Sequence, residues 1–148
     1  MFMKKIILLF VLVISVITAF SQVSQIDSRL YAKYSEEELL DMQQNRPYDL
    51  EYLNWFVENS YVIKDVANPE ALNYPKLKYM DKETKMESSE VTEFDADNFN
   101  IMEYGFEILA RSSNVYLIGN TGKILVFYSS SDLTKLYNEY KRRHYENN

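Results

Sequence analysis

Residues 115–128 read VYLIGNTGKILVFY, and this stretch decides the fold class. Two runs rich in β-branched and aromatic residues, 115–118 and 123–128, lie on either side of a Gly-Asn-Thr-Gly turn. Such runs around a glycine-containing turn are typical of a β-hairpin. The sequence therefore predicts an antiparallel hairpin in the C-terminal third of the chain. A similar run at 106–110 predicts one further strand before it.

The chain after the hairpin has the pattern of an amphipathic helix. The serines at 129–131 offer N-cap side chains for its first turn. An apolar stripe follows at the i, i+3, i+4 and i+7 spacing of one helix face, formed by Leu133, Leu136, Tyr137 and Tyr140. We expect this stripe, Leu136 included, to face the core, and the basic run 141–143 to balance the helix dipole.

A first helix is predicted near the N-terminal end of the folded region. Ser35 and Glu38 have the spacing of a capping box, in which each residue satisfies a backbone N–H group of the other. The glutamates around them also suit the positive end of a helix dipole. We therefore expect a helix at 35–45, with Leu39 and Met42 facing inward.

A second helix follows directly and completes a helical hairpin. Pro47 ends the first helix and is well suited to the first position of the next one. The segment 47–59 carries an apolar stripe at helical spacing, which comprises Leu50, Leu53 and Val57. Aromatic residues at positions 52, 55 and 56 widen this stripe, so the helix is expected to present an aromatic inner side.

The middle of the chain has a weaker pattern. A β-rich triplet predicts a strand at 61–63, and prolines and acidic residues then dominate a long excursion at 67–97. Within it we expect one strand near 76–80 and another near 90–94. Asp97 is expected to cap a short helix at 98–104, which Gly105 would end in the left-handed conformation.

These elements together predict an α+β domain. Its parts are an N-terminal helical hairpin, a small antiparallel sheet with a C-terminal β-hairpin, and a C-terminal amphipathic helix. Helices are expected to cover one face of the sheet, because each element has one apolar face to bury.

The N-terminus has the layout of a secretory signal peptide. Lys4 and Lys5 precede an apolar run at 6–20, and small residues follow at Ala19 and Ser21. The sequence predicts cleavage after Ser21, which removes residues 1–21 and leaves 22–148 as a single exported domain. The apolar run is too short for a membrane-spanning helix, so no stable membrane insertion is expected after cleavage. The predicted location is the bacterial periplasm or the extracellular space.

Composition excludes several classes of function. The chain has no cysteine, which rules out disulfides, thiolate metal ligands and lipid attachment through cysteine. The net charge is −6, and removal of two lysines with the signal peptide would make it −8. An acidic chain lacks the basic surface that nucleic-acid binding requires. Neither a nucleic-acid partner nor a cofactor is therefore expected.

The motifs of known chemistry are incomplete, and no catalytic or metal-binding residue is assigned. The single histidine, His144, lies close to the chain end, where it is poorly placed as the base of a nucleophilic site. The acidic loop from Asp95 begins like a calcium loop. Asn100 then replaces the turn glycine, and Phe106 replaces the closing glutamate. The turn at 119–122 lacks the spacing of a phosphate-binding loop.

Tyrosine is the remaining unusual feature, with 13 residues. A tyrosine ring packs as an apolar surface while its hydroxyl stays hydrated, which suits interfaces. Those outside the elements with the clearest patterns are the candidates for a partner-binding surface, namely Tyr31, Tyr34, Tyr74 and Tyr79. The leading hypothesis is a non-enzymatic binding or accessory module that contacts an envelope protein or glycan through an aromatic surface or a sheet edge. The alternatives are a small carboxylate-dependent hydrolase of an envelope polymer and an inhibitor or immunity-type protein.

Overall fold

The computed structural model describes residues 25–145, and the side chain of Glu70 is left out of the description. The predicted signal peptide, 1–21, lies outside the described residues. Within them the chain forms an α+β fold, as predicted, with three α-helices and two three-stranded antiparallel sheets. The helices are α1 (Glu36–Asn45), α2 (Pro47–Asn59) and α3 (Ser130–Tyr145). The strands are β1 (Tyr61–Asp65), β2 (Lys78–Met80), β3 (Glu87–Glu90), β4 (Tyr104–Gly105), β5 (Asn114–Leu117) and β6 (Lys123–Phe127).

The N-terminal helical hairpin forms as its capping residues predict. The Ser35 side chain accepts a hydrogen bond from the Glu38 N–H at 3.2 Å, and the Glu38 carboxylate accepts one from the Ser35 N–H at 2.7 Å. This capping box starts α1, and proline occupies the first turn of α2. Leu39 and Met42 are buried, which confirms the predicted inner face of α1. On α2, Leu53 is only half-buried.

The first sheet is built around the predicted C-terminal hairpin. Its strand order is β1-β6-β5, so β6 lies in the centre and pairs antiparallel with both neighbours. The turn between β5 and β6 holds Gly119 at a φ of 51°, in the left-handed region that favours glycine. A Cβ atom at this position would lie only 2.4 Å from the carbonyl oxygen of Val91. The hairpin turn is therefore packed tightly against the chain that follows β3.

The second sheet lies in the middle segment, with strand order β3-β2-β4. β2 lies within the strand predicted near 76–80, whereas β3 is displaced toward the N-terminus from the strand predicted near 90–94. The cause is the turn at Asp81, whose carboxylate accepts hydrogen bonds from the backbone N–H groups of Glu83 and Thr84 at 3.0 and 2.6 Å. Because the turn is fixed there, β3 begins at residue 87, earlier than predicted.

Two predictions for the segment before β5 are wrong. The predicted helix at 98–104 is a single 3-10 turn, Ile101–Glu103, capped by the side chain of Asn100 rather than by Asp97. Gly105 does not end it in the left-handed conformation, since it pairs with β2 as part of β4. The predicted strand at 106–110 is irregular, because the Tyr116 hydroxyl accepts a hydrogen bond from the N–H of Glu107 at 3.0 Å in place of a strand neighbour.

The C-terminal helix α3 is capped by Ser129, whose hydroxyl accepts a hydrogen bond from the N–H of Asp132 at 3.1 Å. Leu133 is buried, as predicted, but Leu136 is 38% exposed, so its predicted inward orientation is wrong. The helix turns its Tyr137 and Tyr140 rings toward α2, which leaves Leu136 at the margin of the apolar stripe. No helix within residues 25–145 has the length and apolar character needed to span a membrane.

Candidate functional site

The four tyrosines predicted to bind a partner occupy different environments. Tyr31 lies on a 3-10 helix, Ser28–Ala32, and is 39% exposed, while Tyr34 is partly buried against the core. Tyr74 is 41% exposed in the loop before β2. Tyr79 belongs to β2, and its ring lies 5.1 Å from that of Tyr104. Tyr79 thus lies in a regular element, at the position where a strand near 76–80 is predicted.

These tyrosines do not form one aromatic surface. Among the ring contacts of residues 25–145, none joins two of the four. Tyr31 and Tyr34 do lie next to the β2–β3 turn, because Lys82 and Lys85 reach across and donate hydrogen bonds to the carbonyl oxygens of Tyr31 and Lys33 at 2.7 and 2.8 Å. This turn therefore docks onto the 3-10 helix by two lysine side chains.

A more strongly aromatic concavity lies between α2, α3 and the start of β1. It has a volume of about 430 Å³, and we call it the Trp55 groove. Its lining residues are Trp55, Glu58, Asn59, Tyr61, Val62, Tyr128, Leu136, Glu139, Tyr140, Arg143 and His144. The wall combines flat rings, two carboxylates and an arginine. Aromatic residues and arginine are the residue types enriched in binding interfaces, whereas carboxylates are not.

The rings of the groove are held in place by contacts between α2 and α3. The centroid of Trp55 lies 5.1 Å from that of Tyr137 and 6.4 Å from that of Tyr140. Tyr140 in turn lies 4.2 Å from the ring of His144, one helical turn further on. Burial raises the pKa of Tyr140, and it raises that of Tyr137 to about 12. Both hydroxyls therefore stay neutral near pH 7 and act as hydrogen-bonding groups.

The charged groups of the groove are paired within the protein. The Glu58 carboxylate accepts a hydrogen bond from the Arg29 guanidinium at 2.9 Å, and Glu139 forms an ion pair with Arg143 one turn along α3. Arg29 also binds Asp27 at 2.6 Å, and this hydrogen bond lowers the pKa of the Asp27 carboxyl. Both groove carboxylates are thus held in ion pairs.

A second hollow continues the same surface on the other side of Trp55. It has a volume of about 640 Å³ and shares Trp55, Glu58, Asn59 and Tyr140 with the groove. Its floor is fixed by Asn54, whose side chain accepts a hydrogen bond from the Asp27 N–H at 3.1 Å. The two concavities therefore form one extended surface along α2.

Residues 25–145 contain no group of three or more histidine or carboxylate side chains placed to hold a metal ion. Every carboxyl group in this range whose pKa is displaced has it lowered. In the acidic loop, hydrogen bonds from the Asn98 side chain and the Asp97 N–H lower the pKa of Asp95. That carboxylate therefore stabilises its own turn.

The sequence does not reveal the Trp55 groove, because Tyr140 falls on the stripe expected to face the core and His144 lies close to the chain end. One signal was available, namely the Tyr140–His144 pair at i, i+4 on α3, which faces the aromatic side of α2. The residues of the groove come from α2, β1 and α3, so only the tertiary fold brings them together.

The structure thus combines a small α+β fold with an aromatic concavity between α2 and α3. Comparison of the chain with protein-family models, with curated proteins and with solved structures gives no match in any of the three.

Proposed function

We propose that this protein is an exported, non-enzymatic binding module that holds an envelope protein or glycan in the Trp55 groove. The observation that carries the proposal is the groove wall, in which partly buried rings are combined with carboxylates already held in ion pairs. Aromatic rings with a polar edge bind apolar surfaces while keeping one end hydrated, which suits both peptide and sugar partners. The location rests on the predicted signal peptide at 1–21.

The charges of the groove support binding rather than catalysis. A carboxylate-dependent hydrolase needs one carboxylic acid that holds a proton near neutral pH, which requires a raised pKa. Glu58 and Glu139 each already form an ion pair with a guanidinium group of the protein, Glu58 with Arg29 and Glu139 with Arg143. The sole histidine has Nδ1 2.9 Å from the carbonyl oxygen of Tyr140. A binding module needs none of these groups to transfer a proton.

The binding proposal is tested with a matched pair of tyrosine variants on the two helices. Tyr140→Ala removes a ring from the centre of the groove, whereas Tyr48→Ala removes one that is 82% exposed at the start of α2. Binding of each purified variant to protein and polysaccharide fractions of the host envelope is measured. We expect Tyr140→Ala to lose about 30-fold in affinity, as for an interface anchor, and Tyr48→Ala to retain it. Equal affinities would refute the groove as the binding site.

The hydrolase alternative is tested on the same fractions. The purified protein is incubated with envelope polysaccharide and the release of soluble fragments is followed. The binding proposal expects no release. Release that is abolished by Glu58→Gln or Glu139→Gln would overturn the proposal in favour of the hydrolase.

A further inference from the structure

The outer edge of β1 is open. β1 pairs with β6 only, in a register that sets Val62 opposite Val126 and Lys64 opposite Ile124. Hydrogen bonds from Tyr128 N to Ser60 O at 3.0 Å and from Val66 N to Gly122 O at 2.8 Å bracket this pairing. Residues facing a neighbour alternate along an antiparallel strand. Residues 60, 62, 64 and 66 therefore face β6, and the backbone groups of Tyr61, Ile63 and Asp65 point away from it.

These outward backbone groups have no partner among residues 25–145. No described residue donates a hydrogen bond to their carbonyl oxygens or accepts one from their N–H groups. An edge strand of this kind presents a template on which another extended chain can pair. Tyr61, Ile63 and Asp65 together offer up to three N–H donors and three carbonyl acceptors along the five residues of β1.

Two concavities meet at the Tyr61 end of this edge. One is the Trp55 groove, and the other is a hollow of about 480 Å³ that we call the Asp97 hollow, since Asp97 and Glu103 line it. The carboxylates of Asp97 and Glu103 form no ion pair within the described part of the chain. The one cation of the hollow, Arg29, is already bound by Asp27 and Glu58. A ligand at this end of β1 therefore meets uncompensated negative charge.

We infer that the β1 edge binds an extended, basic peptide segment of a partner protein by strand addition. The inference rests on the proposed binding function and narrows its partner to a protein. The peptide backbone pairs with Tyr61, Ile63 and Asp65, and a lysine or arginine near the Tyr61 end lies beside the Asp97 hollow. Side chains of the added strand alternate between the two faces, so near the Tyr61 end one of any two neighbouring residues points to the face of the hollow.

Charge favours this occupant over a second copy of the chain. The protein has a net charge of −6, so two copies repel each other while a basic peptide is attracted. β1 also carries charged residues, Lys64 and Asp65, at its exposed end. Charged residues on an edge strand are a common protection against self-pairing.

The test uses a synthetic peptide in which lysine alternates with threonine and valine, with both ends blocked. Its control replaces each lysine by glutamate. Binding to the protein is followed by fluorescence anisotropy, and the amide exchange of β1 is followed by NMR. We expect the lysine peptide to bind, the glutamate peptide to fail, and the amides of Tyr61, Ile63 and Asp65 to become protected on binding.

A matched pair of variants isolates the backbone contribution. Ile63→Pro removes an outward N–H group without removing any donor to β6, and proline is tolerated on the open side of an edge strand. Ile63→Ala truncates the same side chain and keeps the N–H group. We expect Ile63→Pro to bind the lysine peptide about tenfold more weakly than Ile63→Ala, because it loses a hydrogen bond and its ring obstructs the added strand. Equal affinities would overturn the inference.

A peptide methylated at alternate backbone nitrogens tests the same point on the unaltered protein, should Ile63→Pro fail to fold. Two such peptides are used, one methylated at the odd-numbered and one at the even-numbered backbone nitrogens. One of the two is expected to lose binding, and binding of both peptides would overturn strand addition. Protection of the β1 amides by self-association without peptide would overturn it in favour of a second copy. If Tyr140→Ala weakens binding to the envelope fractions while Ile63→Pro does not, the proposed function stands and this inference fails.

Discussion

Replacement of Gly119 by alanine should destabilise the protein through a steric conflict at the β5–β6 turn. The residue has a φ of 51°, and an added Cβ would lie 2.4 Å from the carbonyl oxygen of Val91 and 3.1 Å from that of Thr92. Gly122 is its matched control in the same turn. It has a φ of 71°, but an added Cβ would come no closer than 3.7 Å to the nearest atom, the carbonyl oxygen of Val66.

The two substitutions differ mainly in the conflict with the backbone. Each forces alanine into the left-handed region at a cost of about 1–2 kcal/mol. Each also reduces the entropy of the unfolded chain by a similar amount, so this contribution cancels in the comparison. Gly119→Ala must in addition displace the chain at Val91, which adds about 1–3 kcal/mol, as for overpacking in a core. We expect Gly119→Ala to lose about 1–3 kcal/mol more of the free energy of unfolding than Gly122→Ala.

The free energy of unfolding is measured by urea titration, with the fluorescence of Trp55 as the probe. Trp55 is the only tryptophan and is 6% exposed, so its emission reports directly on loss of the core. Equal slopes of the free energy against urea concentration are needed for the comparison. If the two variants lose the same free energy within about 0.5 kcal/mol, the close packing of the turn against Val91 is refuted.

Three further predictions concern packing and ionisation. Leu39→Ala should cost about 2–5 kcal/mol in unfolding free energy, since Leu39 is fully buried, and Leu136→Ala about 1 kcal/mol or less, since Leu136 is 38% exposed. Equal losses of the two variants in urea titrations would contradict the orientation of α3. Glu51→Gln should lower the pKa of Tyr145 from about 12, because the Tyr145 hydroxyl donates a hydrogen bond to the Glu51 carboxylate. In an ultraviolet titration, the absorbance of tyrosinate should then rise at a lower pH, and an unchanged curve would contradict this contact. The Asp27 pKa is lowered on folding, so the Asp27 ion pair stabilises the protein above about pH 4, and this contribution is lost as the pH falls through the folded-state pKa. A titration midpoint of Asp27 at or above the ordinary value of 3.8, measured by NMR, would refute this prediction.

The elements with strong local signals could be predicted from the sequence. The capping box at Ser35 and the proline at position 47 give α1 and α2 their bounds, and the turn at 119–122 predicts the hairpin. These signals act between residues a few positions apart, so no tertiary information is needed to interpret them.

The middle segment could not be predicted in the same way, because distant contacts decide its conformation. Lys82 and Lys85 bind carbonyl groups 51 and 52 residues away, and the Tyr116 hydroxyl takes the hydrogen bond that a strand at 106–110 would need. The same reason applies to the candidate site. The sequence places Tyr140 on a stripe expected to face the core, and only the placement of α3 against α2 shows that it borders a groove.

The long-range pairing of β1 and β6 has a consequence for folding kinetics. The hydrogen bond between Asp65 and Lys123 closes a loop of 58 residues, and the one between Glu51 and Tyr145 spans 94. Closure of such loops costs chain entropy before native contacts stabilise the closed loop, so topologies of this kind fold slowly. When the chain is synthesised from its N-terminal end, β1 therefore stays unpaired until the last quarter of the chain, which contains β6, has been made. The first sheet as a whole forms only after β6 is available, because β6 is the central strand that pairs with both β1 and β5.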